Sequence, residues 1–180
     1  MTNFNLKRQG KEGLDSGYSL FELLVTLSIA ALLLMIALPN LSVLLDKQKL
    51  QSRAELLLLA IKNAKVAAIN LDQNIIICRK SADQQQCSGA SIKGKKDWRN
   101  GWLIFADSNS DRLYQRDEKL MNSTSFSASN CQIMWNRGDF LSFGKFGVLQ
   151  GGKAGSFQIK CAAQTTALVI NWVGRVRRIN

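Results

Sequence analysis

Gly17-Tyr18-Ser19-Leu20-Phe21-Glu22-Leu23-Leu24-Val25 leads into an apolar run that reaches Leu38. Between Leu23 and Leu38 there is no charged residue, and the only polar ones are Thr26 and Ser28. Wound as a helix, the segment from Tyr18 to Leu38 covers about 31 Å. A bilayer's hydrocarbon core is about 30 Å thick, so the run predicts a membrane span. Glu22 lies one turn inside it. A carboxylate in lipid costs roughly 2.5–3.5 kcal/mol and calls for a partner. A secretory signal peptide is the plain alternative, but its apolar region is about 7–15 residues long and its small-residue cleavage site comes afterwards. Here the run is longer and Gly17 precedes it.

These residues resemble the prepilin signal of type IV pilins and pseudopilins. A short basic leader ends in Gly17, Glu22 follows four residues after Tyr18, and Pro39 falls where many type IV pilins carry proline. The departure is Tyr18, where the family usually has Phe. The resemblance implies cleavage after Gly17 by a prepilin peptidase, N-methylation of Tyr18, and filament packing through the apolar helix. It also implies that Glu22 pairs with the new amino terminus of a neighbouring subunit. The implied partners are other major and minor pilins. The implied location is the inner membrane, single-pass with a cytoplasmic amino terminus and a periplasmic head, then a type IV pilus at the cell surface. The expected division is a leader at 1–17, a transmembrane and filament-core helix at 18–45, and a head at 46–180.

Composition narrows the rest. Lys and Arg number 24 against 13 Asp and Glu in 180 residues, a net charge of +11 with no histidine. Residues 1–17 hold three basic and two acidic groups, 18–70 five and three, and 71–180 sixteen and eight, or net +1, +2 and +8. The surplus sits in the head and points to an anionic partner. Lys7, Arg8 and Lys11 precede the span, which keeps the leader cytoplasmic by the positive-inside tendency. Cys78, Cys87, Cys131 and Cys161 all follow it. They form no Cys-x-x-Cys pair and have no histidine to complete a zinc site, so an exported domain should hold two disulfides and no metal. Of the three connectivities, Cys78–Cys87 with Cys131–Cys161 is favoured. The first closes a short polar loop and the second ties two late strands.

Along the chain, Leu50, Ala54, Leu57, Ile61, Ala64 and Ala68 recur at steps of four and three, which predicts an amphipathic helix to about residue 70. Pro39 should kink or loosen it. Leu56-Leu57-Leu58-Leu59 suggests a wide buried stripe. From Ile75 the pattern turns to β: strands are expected at 75–78, 101–106, 118–126, 131–135, 139–143, 156–162 and 165–173, with 80–100 a polar loop. The fold class is therefore α+β, a long amino-terminal helix, half in the membrane and half laid on an antiparallel β-rich head.

Several chemistries are excluded. Without histidine there is no imidazole base for a serine or cysteine nucleophile, no Gly-rich phosphate loop occurs, and the adjacent Asp117 and Glu118 point apart on a strand. Asp107, Asn109, Asp111 and Glu118 match four positions of a calcium loop, but Arg112 stands where glycine should make the sharp turn. Asx turns account for the same residues. No cofactor and no enzymatic activity are expected.

Within the pilins, the segment from Asp97 to Asp111 (Asp97-Trp98-Arg99-Asn100-Gly101-Trp102-Leu103-Ile104-Phe105-Ala106, then the Asp107, Asn109, Asp111 turn) and the pair Asp117-Glu118 look like the FimT/GspH group of minor pilins. The carboxy terminus alternates up to Gly174, and continuing that alternation sets Arg175 and Arg177 on one face, followed by Arg178. Gly174 would let a neighbouring surface approach closely. Three arginines offer forked geometry suited to phosphate. This Gly-Arg-x-Arg-Arg end is similar to the Gly-Arg-x-Arg element of FimT-type pilins, some of which bind DNA in natural transformation. The resemblance implies double-stranded DNA bound by Gly174, Arg175, Arg177 and Arg178, aided by Lys93, Lys95, Lys96 and Arg99. The alternatives are arginines that merely guard a sheet edge, and a structural pilin or pseudopilin that primes pilus assembly or type II secretion without a ligand.

Replacing Gly17 with a bulky residue should leave a full-length, membrane-resident precursor on an immunoblot of cell fractions. The mature size in that variant would overturn the prepilin reading. Glu22→Ala should still insert but should fail to enter filaments.

Overall fold

The computed structural model describes residues 18–83, 85–127, 130–152 and 154–179, with the backbone alone at 36–40 and 152. Gly17 and the rest of the leader lie outside the described residues. The chain forms two compact units, one ending at Leu41 and the other covering Ser42–Asn180. Helix α1 is assigned over Leu20–Leu71.

In the first unit, Ser19 starts the helix. The Glu22 backbone N–H donates to Ser19 Oγ at 3.2 Å, the first half of a Ser-x-x-Glu capping box that sets a carboxylate at the helix's positive end. Glu22 therefore has a local reason beside the implied pairing between subunits. Thr26 and Ser28 hydroxyls donate to the Leu23 and Leu24 carbonyls at 2.9 and 2.8 Å, so neither is left unpaired on the apolar helix. Every described side chain from Tyr18 to Met35 is exposed. Among the described residues no helix is long and apolar enough to cross a membrane. The expected span includes 36–40, whose side chains lie outside the described set.

In the second unit, Leu50, Ala54, Leu57, Ile61, Ala64 and Ala68 are all buried, as the spacing predicts. The leucine stripe is narrower than expected: Leu57 is fully buried, but Leu56 is 42% and Leu59 53% exposed. At 3.6 residues per turn, four consecutive side chains fan around most of the helix, and only one of them can face the core squarely.

Among the described residues the strands are β1 (Ile75–Arg79), β2 (Lys96–Asp97), β3 (Gly101–Ala106), β4 (Leu120–Ser125), β5 (Cys131–Trp135), β6 (Phe140–Phe143), β7 (Gly155–Cys161), β8 (Gln164–Ile170) and β9 (Val176–Ile179). They form two antiparallel sheets, ordered β4-β3-β1-β6 and β2-β5-β7-β8-β9. The apolar stripe of α1 and the inner faces of both sheets share one core, with Trp98, Trp135 and Phe157 at its centre. Trp135 stacks on Phe157 with ring centroids 4.2 Å apart, and Trp98 meets the same ring edge-on at 5.1 Å. The far side of the four-stranded sheet buries Ile76, Cys78, Leu103 and Phe105. Burial on both faces explains the unbroken apolar run in β1.

Both expected disulfides, Cys78–Cys87 and Cys131–Cys161, are present. The second joins directly opposed residues of β5 and β7. Two expectations change. The 80–100 segment holds the short strand β2, and the strand expected over 165–173 stops at Ile170. The chain turns there and returns as β9, and Trp172 in that turn is 62% exposed.

Leu57→Ala should lower the stability of the chain by about 2–5 kcal/mol in urea denaturation, the usual cost of a core cavity. Leu59→Ala should cost less than about 0.5 kcal/mol, as exposed substitutions do. Equal losses would contradict the orientation of the leucine run.

Candidate nucleic-acid interface

The last hairpin positions the arginines. In its turn, Asn171 Oδ1 accepts the Arg175 N–H at 2.8 Å, and the Gly174 N–H donates to the Asn171 carbonyl at 2.9 Å. Lys65 of α1 donates its Nζ to the Val173 carbonyl at 2.7 Å, tying the turn to the helix. Gly174 has φ +72°, and a Cβ there would stand 2.7 Å from Phe143 Cε1. The close approach expected at Gly174 is thus made by the protein's own core. Glycine shapes the hairpin at that point.

Register sorts the three arginines. Arg177 lies opposite Val169 and Arg178 opposite Leu168. Opposed residues share a face, so Arg177 turns outward with Val169 while Arg178 shares the face of the buried Leu168. Val169, Asn171, Arg175 and Arg177 line one open cleft of about 300 Å³. Both of these arginines are exposed, and neither pairs with a carboxylate among the described residues. Arg178 is half-buried and donates Nε to Thr166 Oγ1 at 3.2 Å. The expected trio is two outward arginines and one tethered behind them.

The second basic element lies elsewhere. Lys93 and Lys95 are exposed, Lys96 belongs to β2, and Arg99 follows it. Strands β2 and β9 are opposite edges of the five-stranded sheet, about 19 Å apart at about 4.8 Å per strand. Asp97 Oδ2 accepts Arg99 Nε at 2.6 Å and raises its pKa, so the Arg99 charge is already matched. Asp139 anchors the loop before β2: it holds Arg79 Nε at 2.6 Å and accepts the Ser91 N–H at 3.1 Å.

Between these edges stands Lys160, exposed on β7 opposite Gln132. Arg99, Gln132 and Lys160 line a cleft of about 340 Å³. The sequence reading passes over Lys160, although Phe157, Ile159 and Cys161 are the buried partners of a period-two strand and so turn Gln158 and Lys160 outward. Strands β5, β7, β8 and β9 contain no Asp or Glu, and none occurs after Asp139. With Asp97 of β2 matched by Arg99, Lys160, Arg175 and Arg177 leave the outer face of this sheet with a positive surplus.

The Asp107–Glu118 loop is a set of turns. Asn109 Oδ1 accepts the Asp111 N–H at 3.0 Å, Asp111 Oδ1 the Leu113 N–H at 2.7 Å, and Glu118 the N–H groups of Ser108 and Gln115 at 3.0 Å. Arg112, read as blocking a sharp turn, adopts φ +67° itself, with its backbone N–H held by the Asp107 carboxylate. Among the described residues no group of three or more His, Cys, Asp or Glu is placed to hold a metal ion.

Residues 53–174 match the family model for the type II transport protein GspH. A crystal structure of the type IV minor pilin FimU of Pseudomonas aeruginosa aligns with 19% identity and a TM-score of 0.55, covering 74% of this chain and 90% of that one. A second crystal form of FimU gives 18% identity and a TM-score of 0.52, covering 72% and 92%. The minor pseudopilin EpsH from the type 2 secretion system of Vibrio cholerae aligns at 17% identity with a TM-score of 0.43, covering 74% and 94%. No curated protein matches the chain.

Burial holds the Asp107 carboxyl above the usual carboxylate range, and among the described residues its Oδ1 has no partner. The folded chain therefore keeps this proton where the unfolded chain has released it. Stability from this group is present below the ordinary value of about 3.9 and is lost as pH rises through the raised folded value. Asp107→Asn should gain stability relative to wild type between about pH 3 and pH 7. A difference that stays constant across that range in urea titrations would contradict the shift.

Proposed function

The chain belongs to the GspH family of type II transport proteins, and on that premise we propose that its head binds extracellular double-stranded DNA without sequence preference and supports uptake in natural transformation. Family and fold make it a minor pilin or pseudopilin of the type IV pilus or type II secretion kind. The observation that carries the DNA reading is the pair Arg175 and Arg177 in one outward cleft, unmatched by any described carboxylate. Two guanidinium forks side by side suit two backbone phosphates and read no base. Lys160, Lys93 and Lys95 supply further positive charge to a long polyanion lying across the same sheet. Arg178 and Gly174 support the hairpin from behind.

Cleavage after Gly17, methylation of Tyr18 and pairing of Glu22 between subunits belong to the same proposal, as the route by which the head reaches the cell surface. One observation favours the rival, a structural subunit that primes assembly or secretion without a ligand. The family match ends at residue 174, one position before Arg175, so membership says nothing about the arginines.

Salt dependence separates the two. Two neutralised phosphates give a slope of log affinity against log salt near −1.8, at roughly −0.9 per phosphate. Changing Arg175 and Arg177 together to Gln should flatten that slope and weaken binding for every sequence tested, whereas Arg178→Gln should leave the slope unchanged. Lysine at 175 and 177 should retain part of the affinity, because charge survives and the fork does not. Absence of binding by the wild-type chain at low salt would favour the structural role.

A further inference from the structure

Strand β4 is one edge of the four-stranded sheet, and β6, which bridges Leu149 through Phe143, is the other. Every second residue of an edge strand turns its N–H and C=O away from the sheet, a template for another strand. Natural edges are guarded by charge, proline or a bulge; Leu120-Met121-Asn122-Ser123-Thr124-Ser125 contains no charge and no proline, and its register shift falls at Met121, leaving Asn122–Ser125 in regular pairing with β3.

The two faces beside this edge differ in chemistry. Asn122 and Thr124 pair with Ile104 and Trp102 and face α1. There, Leu56, Leu59, Ala60, Met121, Asn122 and Thr124 line an open, largely apolar groove of about 300 Å³. It contains Leu56 and Leu59, the two residues of the 56–59 leucine run that the helix leaves exposed. On the opposite face, Ser123 and Ser125 are exposed, and Lys80 lies behind them at 2% exposure. Lys80 hydrogen-bonds the Gly101 carbonyl through its backbone, and Gly101 pairs with Ser125. With no side chain at Gly101, Lys80 reaches across β3, and its Nζ donates to Ser123 Oγ at 2.8 Å and Ser125 Oγ at 2.5 Å. Among the described residues no carboxylate pairs with this ammonium, and burial lowers its pKa. Each serine oxygen accepts from Nζ, which leaves each exposed hydroxyl its proton to donate to an acceptor.

We propose that the β4 edge takes up an extended segment of a partner protein in which apolar and acidic side chains alternate. Its backbone pairs with β4. Its apolar side chains enter the groove against Leu56 and Leu59, and its carboxylates accept from Ser123 and Ser125, supplying the counter-charge that Lys80 lacks. Period-two alternation delivers both chemistries from one strand. This surface belongs to the other sheet from the arginine cleft, so it stands or falls independently of DNA binding.

The test uses the full-length chain in detergent and a seven-residue acetylated peptide alternating valine and glutamate. Controls are the same peptide with lysine for glutamate, and one N-methylated on alternate backbone nitrogens. The glutamate peptide should bind about tenfold or more tightly than the lysine peptide, and N-methylation should abolish binding. Lys80→Met, with an unchanged near-ultraviolet circular dichroism spectrum, should bring the two peptides within about twofold, and Leu59→Ser should weaken both. If Lys80→Met does not fold, Ser123→Ala at its exposed position serves instead. Equal affinity for the two peptides, binding that survives N-methylation, no binding, or self-association of the chain abolished by Leu59→Ser would each overturn the proposal, the last in favour of a second copy.

Discussion

The seam between α1 and the sheets is the constraint on which the head depends. Ala54, Ala64 and Ala68 flank Leu57 and Ile61 along the buried stripe. The alanines and the larger side chains share one core with Trp98, Trp135 and Phe157. Burying each large apolar side chain contributes about 1.5–3 kcal/mol, and close packing makes the sum sensitive to single methylenes. A helix whose other faces stay exposed can thus organise two sheets from one stripe.

The same seam positions the candidate interface. Lys65 leaves the helix to hold the Val173 carbonyl, and Phe143 closes on Gly174. The final hairpin is thereby braced from the core side, which leaves Arg175 and Arg177 free on the other. The pairing of Arg178 with Thr166 follows from the same register. Three neighbouring arginines become two unlike environments because a strand sends successive side chains to opposite faces. At the other edge of the sheet, Asp97 matches Arg99, so cationic residues close in sequence differ in what they can offer a phosphate.

Edges and faces also divide the surface by chemistry. On the outer face of the five-stranded sheet the one strand carboxylate, Asp97, is matched by Arg99, whereas the β4 edge of the other sheet combines exposed leucines with an ammonium buried behind serines. A buried charge without an opposite partner is costly, and hydroxyl contacts from two serines only partly relieve it.

Local pattern alone carried much of this. The spacing of Leu50 through Ala68 determined the buried face of the helix, because a 3.6-residue period leaves no other assignment. The β-branched run at Ile75 and the Gly101–Ala106 segment marked strands, and the loop between Cys78 and Cys87 was short enough to suggest its own bridge. Ser19 and Glu22 were a readable helix start, and the alternation through Phe157, Ile159 and Cys161 already turned Lys160 outward. Tertiary structure decided the rest. Whether the chain ran straight through Trp172 or doubled back depended on Phe143 and Lys65 meeting Gly174, contacts made by residues far away in sequence. The separation of Lys93 and Lys95 from Arg177 followed from strand order, and the uncharged edge at β4 from which strand ended the sheet. Neighbouring residues specify periodicity and turns, but order in a sheet is set by long-range pairing, and so is the company each charge keeps.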